Sequence, residues 1–575
     1  MDAAPPTWWS RLATVLDHPG LRRKAALGAM VLATPSLSMR WAADDWLQRA
    51  KLLGNVPGVA TERGLLWDLF AFFPRDPDYF HELLVEGVLP WWTDPEITAA
   101  FMRPVAALTH VLDYAVAPHS ALFQHAHSIL WLGLAVLAVG AFFRAWLGVG
   151  RAAALATLCF ALDDSHAWPV GWLANRNALV AATFGALGLY LHLRGHRWTG
   201  AIALCLGLFS AEMGPGAVTT LVGIELFAIG SVATRFRRLV PAALASMLWA
   251  TAWVVGDFGV HNSGLYLDPL QRPLAYLAAL PERSAAMLAT QWLNAPLDFW
   301  MVLPPLGAAA VASALFALTT FLVFPVLHPV LGTPLGKQAL AASLLSVVPV
   351  AAGFPMDRMV MFISLGAFAL LGMAVQARLA GEAHHPRRVA TLATLHLPVA
   401  ATMFVAKVAT LGPMFSMFEN GTSVLPREGS LRERDLVILG GMEVMTAHLP
   451  MSRVLQGLPA PRRQALLVPA GGAFTVTREG ANILRVDSES GLFRGTSEKL
   501  CRDKSMFTGD AVDLGWYQVE VLADRDGHPT TLRYSFDRDL DDPSFLWANY
   551  RLFGMELTGP PVLGQRQWHG GPAAP

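Results

Sequence analysis

The chain has 575 residues, of which 54% are hydrophobic and 15% charged, and its 43 basic and 43 acidic side chains cancel. A soluble globular protein carries about 25% charged residues, and the long apolar runs here lie mostly in residues 1–410. This composition excludes a soluble cytosolic enzyme and a disordered chain. Three cysteines exclude a disulfide scaffold, and zero net charge gives no attraction to nucleic acid. We expect an integral membrane protein with a soluble C-terminal part.

Apolar runs of membrane-spanning length follow one another through this region. About eleven are predicted, at 25–41, 123–143, 152–168, 176–193, 198–213, 216–233, 240–256, 303–325, 338–354, 357–376 and 389–411. The first run follows a basic cluster, lacks a convincing cleavage site and is interpreted as a signal anchor. Residues 1–411 are therefore expected to form a mostly α, polytopic membrane bundle with long external loops at 42–122 and 257–302.

Charged residues between the runs predict the topology. The basic clusters fall on one side if the N-terminus is cytoplasmic: Arg22, Arg23, Lys24, Arg144, Arg151, Arg194, Arg197, Arg235, Arg237, Arg238, Lys337, Arg378, Arg387 and Arg388. Acids collect on the other side: Asp44, Asp45, Asp163, Asp164, Glu212, Asp257, Asp268 and Asp357. An odd number of spans places the C-terminal part outside with these acids, which in a bacterium is the periplasmic side of the inner membrane.

The C-terminal part, 412–575, is predicted to be a β-rich extramembrane domain. Short strand-like runs occur at 436–439, 465–468, 474–477 and 483–486. The runs at 516–522 and 530–536 flank Asp524-Arg525-Asp526-Gly527, which is typical of a hairpin turn.

Two acidic sites stand out at the external ends of spans. Asp44 and Asp45 follow the first run directly, and a carboxylate at a membrane exit is costly unless it is solvated or functional. They are candidates for a general base or a metal ligand facing a lipid-borne substrate. The alternative is the hydrated start of a loop.

The second acidic site combines Asp163, Asp164 and His166, which end the third run. Carboxylates beside an imidazole bind a divalent metal such as Mg²⁺ or Mn²⁺, or share a proton. A polar helix terminus is the alternative. Arg176 begins the next helix, where a cation opposes the helix dipole, so it needs an anionic partner: Asp163, Asp164 or a phosphate.

Further candidate residues lie at the same side. Arg358 opens the tenth run and Lys407 lies near the external end of the last, where either cation suits a lipid phosphate. Snorkelling to the interface is the alternative for Lys407. Glu212 ends the fifth run, and Arg103 lies in the first loop. Nucleotide hydrolysis is unsupported, because no glycine-rich phosphate loop followed by Lys-Ser/Thr is present.

The order of these motifs resembles a known family. The motifs are the acidic pair, Phe101-Met102-Arg103-Pro104, Leu112-Asp113-Tyr114, His125 with His127, Phe160 to His166, Trp172 to Asn177, Ser210 to Met213, and Phe354 to Arg358. Across residues 25–375 this order is similar to the GT-C superfamily of membrane glycosyltransferases, and within it to the protein O-mannosyltransferase-like branch.

The resemblance implies a polyprenyl-phosphate-linked sugar donor, an external active site and a catalytic carboxylate at Asp44 or Asp45. It maps the second acidic position to Asp163 or Asp164, the arginine of the third motif to Arg176 and that of the late motif to Arg358. Two features depart from the branch: Asp-Asp-Ser-His stands where His-Pro-x-His is usual, and Ala211 stands where a lysine is usual. The tetratricopeptide tail of some members is replaced by the β-rich domain.

The expected mechanism is a single inverting displacement. Asp44 or Asp45 accepts the proton of an external acceptor hydroxyl, on a protein, lipid or glycan, and Arg176 or Arg358 stabilises the leaving phosphate. Asp163 and Asp164 orient the acceptor or hold a metal. Two other classes stay open: a transporter of a lipid-linked substrate, which also uses intramembrane acids, and a non-catalytic membrane scaffold that presents the β-rich domain.

Overall fold

The computed structural model describes residues 7–569 apart from 55, 57, 58, 60, 299, 301, 302, 304, 421, 422, 471, 495–498, 552 and 553. The helices are α1 Trp8–Leu16, α2 Leu21–Leu32, α3 Asp44–Leu53, α4 Leu65–Asp68, α5 Pro77–Glu86, α6 Pro104–Val116, α7 Ala121–Leu147, α8 Arg151–Leu162, α9 Ala167–Gly171, α10 Arg176–Leu193, α11 Arg197–Leu208, α12 Pro215–Leu226, α13 Val232–Val255, α14 Pro273–Leu293, α15 Pro305–Leu331, α16 Pro334–Val350, α17 Ile363–Leu379, α18 Pro386–Thr394, α19 Ala400–Asn420 and α20 Glu443–Leu455. Short 3₁₀ segments lie at Thr34–Ser38, Asp164–His166, Leu173–Asn175, Asp357–Val360 and Gly429–Glu433. Most of the chain is therefore helical up to residue 420.

The strands lie mainly in the C-terminal part. They are β1 Thr98–Ala100, β2 Gly259–His261, β3 Asp435–Gly441, β4 Arg463–Pro469, β5 Phe474–Arg478, β6 Ile483–Asp487, β7 Ala511–Asp513, β8 Tyr517–Arg525, β9 His528–Phe536, β10 Phe545–Arg551, β11 Gly554–Thr558 and β12 Arg566–His569. The two long loops, 42–122 and 257–302, are joined by the antiparallel pair β1–β2.

Four helices in the described part of the chain are long and apolar enough to cross a membrane: α7, α13, α15 and the stretch from Pro386 to Ser416. This confirms an integral membrane protein, but the expectation of about eleven spans is not met by this measure. Each predicted run does contain a helix, but several helices, α2, α8, α11 and α12 among them, have only 12 residues. At 1.5 Å per residue such a helix covers about 18 Å of a hydrocarbon core about 30 Å thick.

The apolar core of the bundle is continuous. α10 packs between α7 and α11, α16 packs between α12 and α17, and α17 reaches α8. Small residues bring these helices close: a Cβ at Gly372 would lie 2.4 Å from the Ala152 carbonyl oxygen. The acidic ends of the predicted runs and the C-terminal part meet at one end of this bundle, which we call the covered end.

The C-terminal domain, the described residues of 425–569, contains two sheets. One has the order β11-β10-β3-β4, with β10, β3 and β4 parallel, and the other has the order β12-β5-β6-β9-β8-β7 and is antiparallel. The predicted strands are all present, and the predicted hairpin turns at Asp526 and Gly527, both at positive φ as a tight hairpin requires. The sequence pattern missed α20, which makes the crossover between β3 and β4.

The core of the C-terminal domain includes part of the first long loop, 42–122. Phe80, Leu84, Trp91 and Trp92 are buried in one cluster with the strands β3, β4, β8 and β9. The Trp91 indole donates to the Leu467 carbonyl oxygen at 3.0 Å. The predicted division at residue 411/412 therefore does not separate two cores, because residues 77–97 pack as part of the C-terminal domain.

Candidate functional site

Polar side chains from six separate parts of the chain meet at the covered end. Asp44 begins α3, Arg103 precedes α6, and Glu212 lies between α11 and α12. Tyr266 comes from the second long loop, and Arg358 from the 3₁₀ turn before α17. The sixth part is α20 of the C-terminal domain, which packs on α3. The helix ends at the covered end thus form the floor of the site, and the C-terminal domain lies against it.

The acidic pair enters the site through a sharp turn. Ala43 adopts φ 47°, and the chain then starts α3 with both carboxylates in its first turn, where they complement the helix dipole. The Asp44 side chain is 25% exposed, and its Oδ1 lies 3.7 Å from His448 Nε2. Asp44 therefore faces the site, and its carboxylate accepts no hydrogen bond from a backbone N–H of the described residues.

Asp45 has a different environment. Its Oδ2 accepts from the Ala42 backbone N–H at 3.0 Å, and its Oδ1 accepts from the Ala174 backbone N–H at 2.8 Å. Burial raises the pKa of this carboxyl to about 8, against the two backbone donors, which lower it. Both oxygens are thus used to join α3 to the turn before α10, which favours Asp44 over Asp45 as the reactive carboxylate.

Arg358 is the cation available at this site. Its guanidinium lies over the Trp172 ring, 5.3 Å from the centroid, and its charge interacts with Tyr266, Arg103, Asp44 and Asp298. Within the described residues it makes neither an ion pair nor a hydrogen bond. A half-buried guanidinium without a carboxylate partner is suited to bind an anion from outside the protein.

Arg103 and Glu212 lie beside it as an ion pair. Arg103 Nε donates to Glu212 Oε2 at 2.7 Å, and the guanidinium also stacks on Phe70 and Phe101. The structure therefore brings these two predicted residues together, but it uses the charge of Arg103 internally. Glu212 Oε1 stays without a partner among the described residues.

Tyr266 and Asp298 belong to this region and were missed by the sequence pattern. Burial raises the pKa of the Tyr266 phenol, and its ring packs against Phe101 and Phe354. Burial, with the neighbouring Asp357 charge, raises the pKa of Asp298 to about 6. Both residues lie in the loop 257–302, where no spacing marks a single residue as functional.

Lys407 is held between two carboxylates. Its ammonium lies 2.5 Å from Asp164 Oδ2 and also pairs with Asp357 Oδ2. Asp357 Oδ1 accepts in turn from the Leu297 backbone N–H at 2.6 Å. The geometry favours a structural cation that joins α19 to two helix ends, over the predicted contact with a lipid phosphate.

Arg176 is also placed as a structural cation. It is fully buried, and its Nη1 lies 2.5 Å from Asp113 Oδ2 on α6. Nε donates to Ser128 Oγ at 2.9 Å and Nη2 to the Gln124 carbonyl oxygen at 2.7 Å, both on α7. The anionic partner that the helix terminus requires is thus Asp113, rather than Asp163, Asp164 or a phosphate.

The predicted metal site does not fit the residues present. Asp164 is taken up by Lys407, and Asp163 Oδ1 accepts from the Ser165 backbone N–H at 3.0 Å. His166 Nε2 contacts the Phe160 carbonyl oxygen at 2.7 Å and its ring packs on Phe160, so it closes the end of α8. The described residues contain no group of three or more His, Cys, Asp or Glu side chains arranged to hold a metal ion.

Comparisons with known proteins give weak likenesses only. No protein-family model matches the chain, and no curated protein matches it. Among solved structures, ArnT from Cupriavidus metallidurans bound to undecaprenyl phosphate is similar at 12% identity and a TM-score of 0.39, covering 78% of this chain and 85% of that one. The same protein in its apo state gives 13% identity and a TM-score of 0.34, covering 71% and 83%. Likenesses of this strength assign neither a family nor a ligand to this chain.

Proposed function

We propose that the protein is an integral membrane glycosyltransferase that moves a sugar from a polyprenyl-phosphate donor to a hydroxyl of an external acceptor. One observation carries the proposal: Arg358 presents a guanidinium without an ion pair in the described residues at the covered end of an apolar bundle, with Asp44 and Asp298 as its acidic neighbours. A lipid phosphate supplies the anion that this cation lacks, and the bundle supplies an apolar surface for the lipid chain.

The two residues divide the chemistry between them. Asp44 accepts the proton of the acceptor hydroxyl as its oxygen attacks the anomeric carbon. The bond from that carbon to the phosphate oxygen breaks on the opposite face, so the configuration inverts. Arg358 stabilises the charge on the departing lipid phosphate. No metal enters this scheme, since the acidic cluster at Asp163 and Asp164 does not form a metal site.

The order of motifs along the chain supports the same reaction. It resembles the GT-C superfamily, and two of its positions, Asp44 and Arg358, are brought together here from residues more than 300 positions apart. The O-mannosyltransferase-like branch rests on that motif order alone, and the chain departs from the branch at two motifs. We therefore propose the lipid-phosphate chemistry without assigning the sugar.

The proposal is tested by titrating a short polyprenyl phosphate into the purified protein in detergent. A ligand that binds the native state stabilises it by RT ln(1 + [L]/Kd), about 2.7 kcal/mol at 100 times Kd. We expect the melting temperature of the wild type to rise, and the rise to be lost in Arg358→Ala.

Arg378→Ala is the matched control. Arg378 also stacks on a tryptophan, 5.0 Å from the centroid of the Trp9 ring. This contact lies at α1, on the face that the charge pattern predicts to be cytoplasmic. Arg378→Ala should keep the full shift. Equal shifts in all three proteins would show that the lipid binds elsewhere. The absence of a shift in the wild type would favour the scaffold or the transporter.

A further inference from the structure

The C-terminal domain places one side chain in the candidate site. His448, on α20, lies with its Nε2 3.7 Å from Asp44 Oδ1, and its side chain is 12% exposed. Its Nδ1 is buried and has no hydrogen-bond partner among the described residues. The imidazole is therefore directed at Asp44 and is not held by a second group.

The helix that carries His448 is held firmly. Parallel strands need a crossover connection, and α20 makes the one between β3 and β4. The Gln464 amide on β4 donates both to the Thr446 carbonyl oxygen of α20 at 2.7 Å and to the Gly87 carbonyl oxygen at 2.9 Å. Arg453 fixes the other end of α20 through the Pro459 carbonyl oxygen at 2.6 Å. The position of His448 against Asp44 is thus set by the fold of the C-terminal domain.

We propose that His448 is a positioning residue for Asp44, so that the site is complete only with the C-terminal domain in place; this rests on the proposed function. In this role the imidazole N–H at Nε2 donates to the Asp44 carboxylate. This bond fixes the orientation in which the carboxylate takes the proton from the hydroxyl of the acceptor molecule. The separation of 3.7 Å is longer than a hydrogen bond, and such bonds in free enzymes often shorten when substrate binds.

The test compares two variants of His448, and a control variant of His528, in a transfer assay with a polyprenyl-phosphate-linked sugar. His448→Leu removes the donor, whereas His448→Gln keeps an amide N–H near the position of Nε2. We expect His448→Leu to lower kcat by about 10- to 100-fold, as misplacement of a catalytic group does. The KM for the donor should stay within about twofold, because Arg358 holds the phosphate, and His448→Gln should recover most of kcat.

His528→Leu is the control for a histidine of the same domain. His528 on β9 also has a buried Nδ1 without a partner in the described residues, and it should leave kcat and KM unchanged. If His448→Leu and His528→Leu behave alike, or if His448→Gln is as slow as His448→Leu, the positioning role is wrong.

A second measurement does not depend on activity. In a double-mutant cycle, Asp44→Asn and His448→Leu should change the melting temperature non-additively, whereas Asp44→Asn and His528→Leu should add. An additive first cycle would overturn the contact, and a coupled cycle with unchanged kcat would show a purely structural pair. A wild type that binds polyprenyl phosphate but transfers no sugar would overturn the proposed function and the role of His448 with it.

Discussion

Asp44 and Asp45 are neighbours in the sequence, but their carboxylates have different partners. Successive residues in a helix point about 100° apart, so one carboxylate faces the site while the other accepts two backbone N–H groups. The same distinction separates the two arginines. Arg358 makes no ion pair among the described residues, whereas Arg176 is neutralised by Asp113. Residue type alone therefore does not decide which member of each pair acts on a substrate.

Asp45→Asn should lower thermal stability by more than Asp44→Asn does. In asparagine an NH₂ group replaces one of the two Asp45 oxygens, so one backbone N–H loses its acceptor and faces another donor. An unsatisfied buried donor costs about 1–3 kcal/mol. Asp44 accepts no backbone bond in the described residues, so Asp44→Asn should cost only its contact with His448. Melting temperatures of the two variants in the same detergent check this, and equal losses would contradict the structural role of Asp45.

The Asp45 effect should depend on pH. Burial raises the pKa of this acid to about 8, above its unfolded value near 3.8, so the folded protein binds the proton more tightly. Unfolding then releases a proton, and stability falls as the pH rises from about 4 to about 8. Asparagine does not titrate, so the deficit of Asp45→Asn should be largest near pH 5 and smaller at pH 8. A deficit that stays constant or grows with pH would contradict this environment.

The acidic pair and the cations were predictable from the sequence as residue types at helix ends. Their partners were not, because the bonds that decide their roles join distant positions. Arg176 and Asp113 are 63 residues apart, and Lys407 and Asp357 are 50 apart. No periodicity within one helix indicates such a pair, and the site residues Tyr266 and His448 lie in segments where the pattern marks only a loop or a strand-rich region.

At the scale of elements, the predicted runs matched helices more reliably than membrane spans. Apolar composition predicts a helix, but it does not show where the helix ends. The run 152–168 stops as α8 at Leu162, because Asp163 leaves the helix and accepts from the Ser165 N–H. The covered end of the bundle therefore contains short 3₁₀ turns, and one of these turns carries Arg358 into the site.

Gly87 lies close to β4 where α5 ends. It ends α5 at φ 74°, and a Cβ there would lie 1.6 Å from the Gln464 carbonyl oxygen. Gly54 ends α3 at φ 62°, and none of the described residues has a heavy atom within 4 Å of the same added Cβ. Both alanine variants carry the cost of a left-handed residue, about 1–2 kcal/mol, but only Gly87→Ala must also separate the loop from the strand.

We expect Gly87→Ala to destabilise by at least about 1–3 kcal/mol more than Gly54→Ala, the usual cost of overpacking. Thermal melts of the two variants in one detergent measure the difference. If both lose the same stability, the first loop does not pack on β4 as closely as described.

At the scale of the whole molecule, the strand pattern of the C-terminal domain was predictable because alternation within a strand is local. The dependence of this domain on the first loop was not predictable, because the residues in contact are separated in the sequence by the whole membrane bundle. Trp91 donates to Leu467, and Trp516 donates to the Val85 carbonyl oxygen at 3.0 Å. These bonds tie the C-terminal domain to the loop that continues from α3, which is how His448 reaches Asp44.

This shared core predicts that the C-terminal domain does not fold well alone. Trp91 and Trp92 are 2% and 0% exposed, and each tryptophan buries about 200 Å², worth roughly 5 kcal/mol at about 25 cal/mol per Å². Domains gain only about 5–15 kcal/mol in total, so losing both side chains removes a large share. A fragment of residues 424–569 should therefore melt without cooperativity or aggregate.

The same fragment fused through a flexible Gly/Ser linker to residues 76–98 should show a cooperative thermal transition. A fusion with both tryptophans replaced by serine is the matched control, because it keeps the chain length and the linker but not the buried rings. Circular dichroism melts of the three proteins test the point. A cooperative melt of the unfused fragment at the temperature of the fusion would show that the C-terminal domain has a sufficient core of its own, without the buried rings of Trp91 and Trp92.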